Sequence, residues 1–281
     1  MNIINKNRQR EKYSFANINL LGKCNADCYF CLGKDIKNHL EKENQLTIHF
    51  SKWKNFQKFL NKCKEVNVKK LYITGQTADG LQYVFLSELV DYLQQCGFIV
   101  GLRTNGLLAL KKMDIIRKMK GEIGYSIHSL NPETNYKIMK VKYIPNWDKI
   151  IPMSGKNVRI SIVLNRYNIN EFYQLVKYIS TFDNVKYIQV RRISTDTRLS
   201  ELKKDIILYE NFYKEFASKH RQVGTFCLAQ QYILYGKEIN FWRTTATSVN
   251  SLNYFTDGTV SDEYFIIEGY LKYKFKKFIR R

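Results

Sequence analysis

Short runs of β-forming residues alternate with stretches of helical spacing, and the alternation recurs six times before Arg192. No other feature narrows the possible folds as far. The strand candidates are Phe15 to Leu20, Lys69 to Thr74, Phe98 to Arg103, Glu122 to His128, Val158 to Leu164 and Val185 to Arg191. Between them, Ser51 is placed to cap a helix whose apolar face is Trp53, Phe56, Phe59, Leu60 and Cys63. A second helix buries Phe85, Leu89, Leu93 and Cys96 and ends at Gly97. A third covers about Lys111 to Met119. Asn131 followed by Pro132 and Glu133 marks a capped helix start, and Phe172, Leu175, Val176 and Ile179 mark one more amphipathic helix. Strands in strict alternation with helices pair in parallel through right-handed crossovers. The expected class is therefore α/β, a partial (βα)6 TIM-like barrel with a C-terminal α+β extension.

After Arg192 the alternation weakens. The sequence predicts a helix near Lys203 to Lys219, then a Tyr-rich stretch, then a hairpin at Asp257-Gly258 in which Asn253 to Phe255 faces Thr259 to Ile267. A boundary near 195 would divide a core of residues 13–195 from an extension, 196–281, that covers the substrate side. Hydrophobic residues at 44% supply enough apolar surface for a sizeable core. The polar, basic start has no apolar run of a secretory signal, and no uninterrupted apolar span reaches membrane length. A soluble, cytoplasmic protein without a membrane partner is expected.

The cysteines stand at 24, 28, 31, 63, 96 and 227, and three of them crowd into Cys24-Asn-Ala-Asp-Cys28-Tyr-Phe-Cys31, directly after the first strand. In a reducing compartment such crowding reads as metal ligation. Soft sulfur ligands select zinc, copper(I) or an iron–sulfur cluster. A structural zinc site needs a fourth ligand, and His39 or a distant Cys completes no familiar spacing. Three thiolates leave one metal position open, where a cofactor or substrate can bind. Cys63 and Cys96 fall on apolar helix faces and read as core packing. Cys227 reads as buried, with hydrogen donation to a substrate radical as the functional alternative.

The spacing Cys-x3-Cys-x2-Cys, with Phe30 just before the last Cys, resembles the signature loop of the radical S-adenosylmethionine superfamily. The resemblance extends over roughly residues 13 to 192, through Thr74-Gly75, Arg103-Thr104-Asn105-Gly106 and Ser126-Ile127-His128-Ser129, all at carboxyl ends of strands. It implies that Cys24, Cys28 and Cys31 hold a [4Fe–4S] cluster whose fourth iron is chelated by S-adenosylmethionine. Reductive cleavage would then give methionine and a 5′-deoxyadenosyl radical that abstracts hydrogen from substrate. Phe30 would border the adenine. Gly75, Gln76, Thr77, Asn105, Ser126, His128 and Arg191 are the other cofactor-binding candidates. The chain departs from the family where Gly75-Gln76-Thr77-Ala78-Asp79 replaces a Gly-Gly-Glu-Pro-like turn; backbone carbonyls, Gln76, Thr77 or Asp79 would then meet the cofactor's ammonium.

Independently of that resemblance, βα barrels place their sites at the carboxyl ends of strands, and Asn165, Arg191 and Arg192 end strands five and six there. Ser126 and His128 alternate on strand four and so share a face, with a buried hydrogen-bonded His as the plainer reading. Arg191 and Arg192, adjacent on strand six, should point in opposite directions, one inward at most.

Lys and Arg number 46 against 25 Asp and Glu, a net charge of +21, and six of the positive groups lie in Lys272 to Arg281. Such a charge attracts anions. Nucleic acid is a possible but not favoured partner, since no RNA-binding module is recognisable. A basic surface also suits an acidic electron donor such as flavodoxin or ferredoxin. The substrate is unidentified, with peptide, small metabolite, nucleotide and RNA all open. The competing reading is a zinc-stabilised, basic nucleic-acid-binding protein without catalysis.

Overall fold

The computed structural model describes residues 13–262 other than 76, 195–197, 227 and 244–250. The basic tail from Lys272 lies outside the described residues, as do Gln76 and Cys227. In chain order the elements are β1 (Phe15–Leu20), α1 (Lys37–Lys42), α2 (Phe56–Glu65), β2 (Lys70–Gly75), α3 (Leu86–Gln95), β3 (Ile99–Thr104), α4 (Met113–Lys118), β4 (Ile123–Ser126), α5 (Pro132–Met139) and α6 (Trp147–Met153). They continue with β5 (Val158–Val163), α7 (Phe172–Ser180), β6 (Val185–Arg191), α8 (Leu199–Lys219), β7 (Gly224–Phe226), β8 (Ala229–Leu234), β9 (Lys237–Trp242), β10 (Ser251–Phe255) and β11 (Val260–Ser261). All six expected strands form, within a few residues of their expected bounds.

The strands make one sheet in the order β11-β10-β1-β2-β3-β4-β5-β6-β9-β8-β7, open between its two edges. From β10 through β1 to β6 and on to β9 every neighbour is parallel. Strands from beyond residue 195 thus continue the barrel wall on both sides. The turn of the expected hairpin at Asp257-Gly258 forms, pairing Asn253 with Ser261 and Tyr254 with Val260, while residues 263–267 of its expected second strand lie outside the described residues.

One pleat face of each core strand is apolar. Ala16 and Ile18, Leu71 and Ile73, Val100 and Leu102, Ile160 and Ile162, and Ile188 and Val190 are all fully buried. Against them pack helix stripes at the spacing of one helical face: Phe56, Phe59, Leu60 and Cys63 on α2, and Phe172, Leu175, Val176 and Ile179 on α7. Asn131 caps α5 as expected, its Oδ1 accepting from the N–H groups of Glu133 and Thr134, with Pro132 at the first helical position.

Ser51 is not a helix cap. It sits in a separate tight turn, Phe50–Lys52, where its N–H donates to His49 Nδ1; α2 starts only after Asn55, whose left-handed backbone (φ 59°) breaks the chain direction. The turn sets Phe50 and Trp53 into the core ahead of the helix. No helix among the described residues is long and apolar enough to cross a membrane.

Candidate active site

The carboxyl ends of the parallel strands surround a cavity of about 250 Å³. Cys24, Cys28 and Cys31 line it, together with Phe30, Gly75, Thr77, Asn105, Ser126, His128 and Arg191. One face therefore gathers every described residue of the candidate set.

The loop after β1 reaches this place because several polar groups fasten it. Thr77 Oγ1 donates to the carbonyl of Gly22 at 2.8 Å. The side chain of Gln82 donates to Lys23 O at 3.1 Å and accepts from the N–H groups of Asn25 at 3.2 Å and Asp79 at 2.9 Å. On the far side Asp27 and Tyr29 donate their backbone N–H groups to Met139 O and Ile138 O, at the end of α5. Arg198 completes the grip, donating to the carbonyls of Tyr29 at 2.6 Å and Cys31 at 2.8 Å while ion-pairing with Asp35. Phe30 packs with Ile138, Met139, Ile193 and Leu202, and its ring meets that of His128 edge-on, centroids 5.2 Å apart.

The altered turn after β2 is built around Gly75, where a β-carbon would collide with the carbonyl of Ala78, so the chain folds back on itself only with glycine there. Asp79 turns away from the role considered for it. Its buried carboxylate accepts from Thr104 Oγ1 at 2.7 Å, Asn105 N at 2.7 Å and Leu81 N at 2.9 Å, binding the ends of β2 and β3 together. Burial raises its pKa while those three donors pull it back. Asn105 then extends the chain of contacts, donating to Asn25 Oδ1 at 2.8 Å with its amide 3.7 Å from Cys24 Sγ.

His128 is buried, and its Nδ1 accepts from Val163 N at 3.2 Å, which assigns the ring proton to Nε2. Burial, aided by the charge of Arg191, pushes its pKa down to about 4. The imidazole is neutral and offers a donor. Arg191 and Arg192 both border the cavity at the end of β6. Arg192 is held there by Glu210 at 2.9 Å. Asn165 does not line the cavity: fully buried, it accepts from Tyr167 N and donates to Val163 O, closing its own loop. Ser194, also in the wall, carries a hydroxyl with no partner among the described residues.

The donor set decides what the cysteine loop suits. Burial pushes Cys24 up to about 12, and burial likewise raises Cys28 and Cys31, with Cys28 further raised by its two fellow cysteines. As they stand the thiols hold their protons, and a metal centre would supply the positive charge that removes them. Among the described residues no fourth His or Cys joins the three cysteines in the cavity wall apart from His128, whose Nδ1 is taken by Val163 N. Three thiols around one cavity, with a turn and a buried neutral His facing them, fit an iron–sulfur cluster with an open coordination position.

Three of the contacts lay outside the expected set. Gln82 was legible, since Asp79-x-x-Gln82 is a capping-box spacing and both reciprocal bonds form. Asn25 and Arg198 carried no local signal.

No family model matches the sequence. The chain is similar to the GTP 3′,8-cyclase of Aquifex aeolicus, 25% identical over 215 residues that make up 68% of this chain and 65% of the cyclase. It is also similar to an S-adenosylmethionine-dependent nucleotide dehydratase of a Thermoplasmatales archaeon, 23% identical over 223 residues, 76% of this chain and 74% of the dehydratase. Its fold is that of Streptococcus suis SuiB bound to S-adenosylmethionine, with a TM-score of 0.61 at 15% identity over 90% of this chain and 61% of SuiB. The chain spans a little under two thirds of the length of the cyclase and of SuiB.

Proposed function

We propose that this chain, a member of the radical S-adenosylmethionine superfamily, cleaves S-adenosylmethionine reductively to act on a nucleotide. Cys24, Cys28 and Cys31 would hold a [4Fe–4S] cluster, which when bound and reduced would supply the electron for splitting the sulfonium into methionine and a 5′-deoxyadenosyl radical able to take hydrogen from the substrate. The observation that carries the reading is the meeting of the three thiols with Phe30, Gly75 and His128 around one cavity.

The chain's own residues have distinct tasks. Phe30, fixed edge-on against His128, presents an apolar wall for the adenine. The Gly75 turn offers backbone carbonyls to the ammonium, with Thr77 in the same turn, since Asp79 is already committed to β3. Asn105 steadies Cys24. Ser126 and the Nε2–H of His128 meet the ribose hydroxyls, and Arg191 answers the carboxylate. We assign residues 13–195 to the core of this machinery, with β9 and β10 of the extension continuing its wall.

For the substrate, charge is the guide. Lys34, Lys37, Arg103, Arg159, Arg191 and Arg192 line the cavity against Asp27, Glu41 and Asp79. A cationic cavity draws in an anionic small molecule, and both sequence relatives act on nucleotides by name. The electron donor is an acidic protein of the flavodoxin or ferredoxin kind, met in the cytoplasm by the basic surface. The test is anaerobic reconstitution with iron and sulfide, then dithionite and S-adenosylmethionine, with 5′-deoxyadenosine as readout. Product well above a variant lacking all three cysteines is the expected result, and no excess over that control would refute the reading.

A further inference from the structure

Parallel strands buried on both faces read as continuous apolar runs, and barrel interiors are ordinarily filled with branched aliphatic side chains. Here much of the inner wall is polar. Asn17 and Asn19 on β1, Arg103 on β3, Arg159 on β5 and Asn253 on β10 all line the cavity. The two arginines are engaged within the wall itself. Arg103 lies over the rings of Phe15 and Tyr72, 5.2 and 4.7 Å from their centroids. Arg159 donates from Nε to Glu122 at 2.9 Å and from Nη1 to Gln189 at 2.7 Å. A phosphate placed there would compete with Glu122 for Arg159, so this part of the wall suits an uncharged group.

What it lacks is a donor. Asn17 is 3% exposed and donates its amide to Asn253 Oδ1 at 2.7 Å. Asn253 in turn donates to Ser251 O at 3.2 Å, which fixes the orientation of both amides. Asn17 Oδ1 is left as a buried acceptor with no partner among the described residues. It stands one pleat repeat deeper than Asn19, away from the strand ends that carry the thiols and the Gly75 turn. A buried acceptor in a cavity wall without a donor is costly, and a donor on a bound molecule removes that cost. Ionised phosphates have no such donor, and the ribose lies between them and the base. A nucleotide that enters with its uncharged end first therefore brings its base to Asn17. The edges of adenine, cytosine and guanine carry the required donor as an exocyclic amino group.

We infer that Asn17 is a specificity-determining residue of the substrate site, its Oδ1 accepting from the exocyclic amino group of the substrate's base. The inference rests on the nucleotide reading above and adds which bases the site takes. It also gives the extension a part in recognition, because Asn253 comes from β10 and sets the orientation of the Asn17 amide.

The experiment is anaerobic calorimetry on the reconstituted protein, with S-adenosylmethionine saturating and no reductant. The probes are ATP, CTP, GTP and UTP, with the analogue of each of the first three in which hydrogen replaces the amino group. At least one of ATP, CTP and GTP is expected to bind more tightly than UTP, and about tenfold more tightly than its own analogue, the loss that follows removal of a buried hydrogen bond. Asn17→Ala should abolish that preference: the amino-bearing nucleotide weakens about tenfold, its analogue changes little, and the two bind alike. Iron content and unfolding temperature report whether the variant is folded. If Asn17→Ala does not load iron, the wild-type comparison carries the test. Equal affinity of the wild type for nucleotide and analogue overturns the role of Asn17 and leaves the nucleotide reading standing. So does a preference that survives in folded Asn17→Ala, or UTP binding as tightly as the best of the others. Failure of the wild type to bind any of the four overturns both.

Discussion

The guanidinium of Arg198 donates to the carbonyl oxygen of Cys31 across 2.8 Å, so the helix that follows the barrel core holds the loop that carries the three thiols. The same side chain reaches Tyr29 O and pairs with Asp35, whose carboxylate is only 4% exposed. Fold and site meet in this one residue.

Removing that side chain should therefore harm both. Arg198→Ala takes the arginine partner from a buried carboxylate, a change that costs about 3 kcal/mol when one partner of a buried pair is lost. The expected outcome is a lower unfolding temperature together with reduced iron per chain after reconstitution. Arg198→Lys should recover much of the stability but less of the iron, because one ammonium cannot serve two carbonyls and a carboxylate in a fixed fork. Full iron loading in Arg198→Ala would show that the loop holds its shape unaided.

His128 gives the pH dependence a definite sign. Its folded pKa of about 4 lies below its ordinary value near 6.5. Between those values the unfolded chain binds the proton and the folded one does not, so stability falls as pH falls through that window and is whole above it. The full loss is about 3 kcal/mol for this one group. Denaturant unfolding of the cluster-free protein from pH 7 to pH 4 measures it. His128→Asn, whose carbonyl can accept from Val163 N in place of Nδ1, should flatten the curve over the same range, and an unchanged slope would remove His128 as its source.

The strands were legible because β-branched and aromatic runs are punctuated by turn and cap residues, and the cysteine loop because three thiols in eight residues have few uses. Arg198 was not legible: it lies 167 residues from Cys31 and nothing local marks it. Ser51 misled because a cap is read from its neighbours, whereas Phe50 and Trp53 entered the core first and delayed the helix to Phe56. The polar inner face was present as Asn17-x-Asn19 and Arg159-x-Ser161, yet in a strand search those residues count only as weak β-formers. Whether such a face looks into solvent or into a cavity is settled by the sheet, not by the period.

Gly75 is expected to tolerate no side chain. Its β-carbon would overlap the carbonyl of Ala78, and relief requires opening the turn that lines the cavity opposite the thiols. Gly75→Ala should load somewhat less iron, since the opened turn carries Thr77, which fastens the loop at Gly22 O, and should bind S-adenosylmethionine about tenfold or more weakly, the loss of one or two hydrogen bonds to a charged group. Equilibrium dialysis with labelled cofactor separates these two effects, and wild-type affinity would mean that the turn does not meet the cofactor.

The cysteines themselves allow the sharpest contrast. Cys28 lines the cavity and is linked through its carbonyl to Cys31 N, whereas Cys63 is fully buried among the apolar residues of α2. On the proposed assignment Cys28→Ala removes one ligand from a set of three, and two thiolates would leave half of a cubane's irons without protein support. Cys63→Ala removes only a small buried sulfur, at a cost of about 1 kcal/mol in packing. Iron and sulfide analysis after anaerobic reconstitution should show little cluster in Cys28→Ala and a full complement in Cys63→Ala, whose unfolding midpoint alone should drop. Normal iron in Cys28→Ala would contradict the ligand assignment, because no other cysteine among the described residues lines that cavity to replace it.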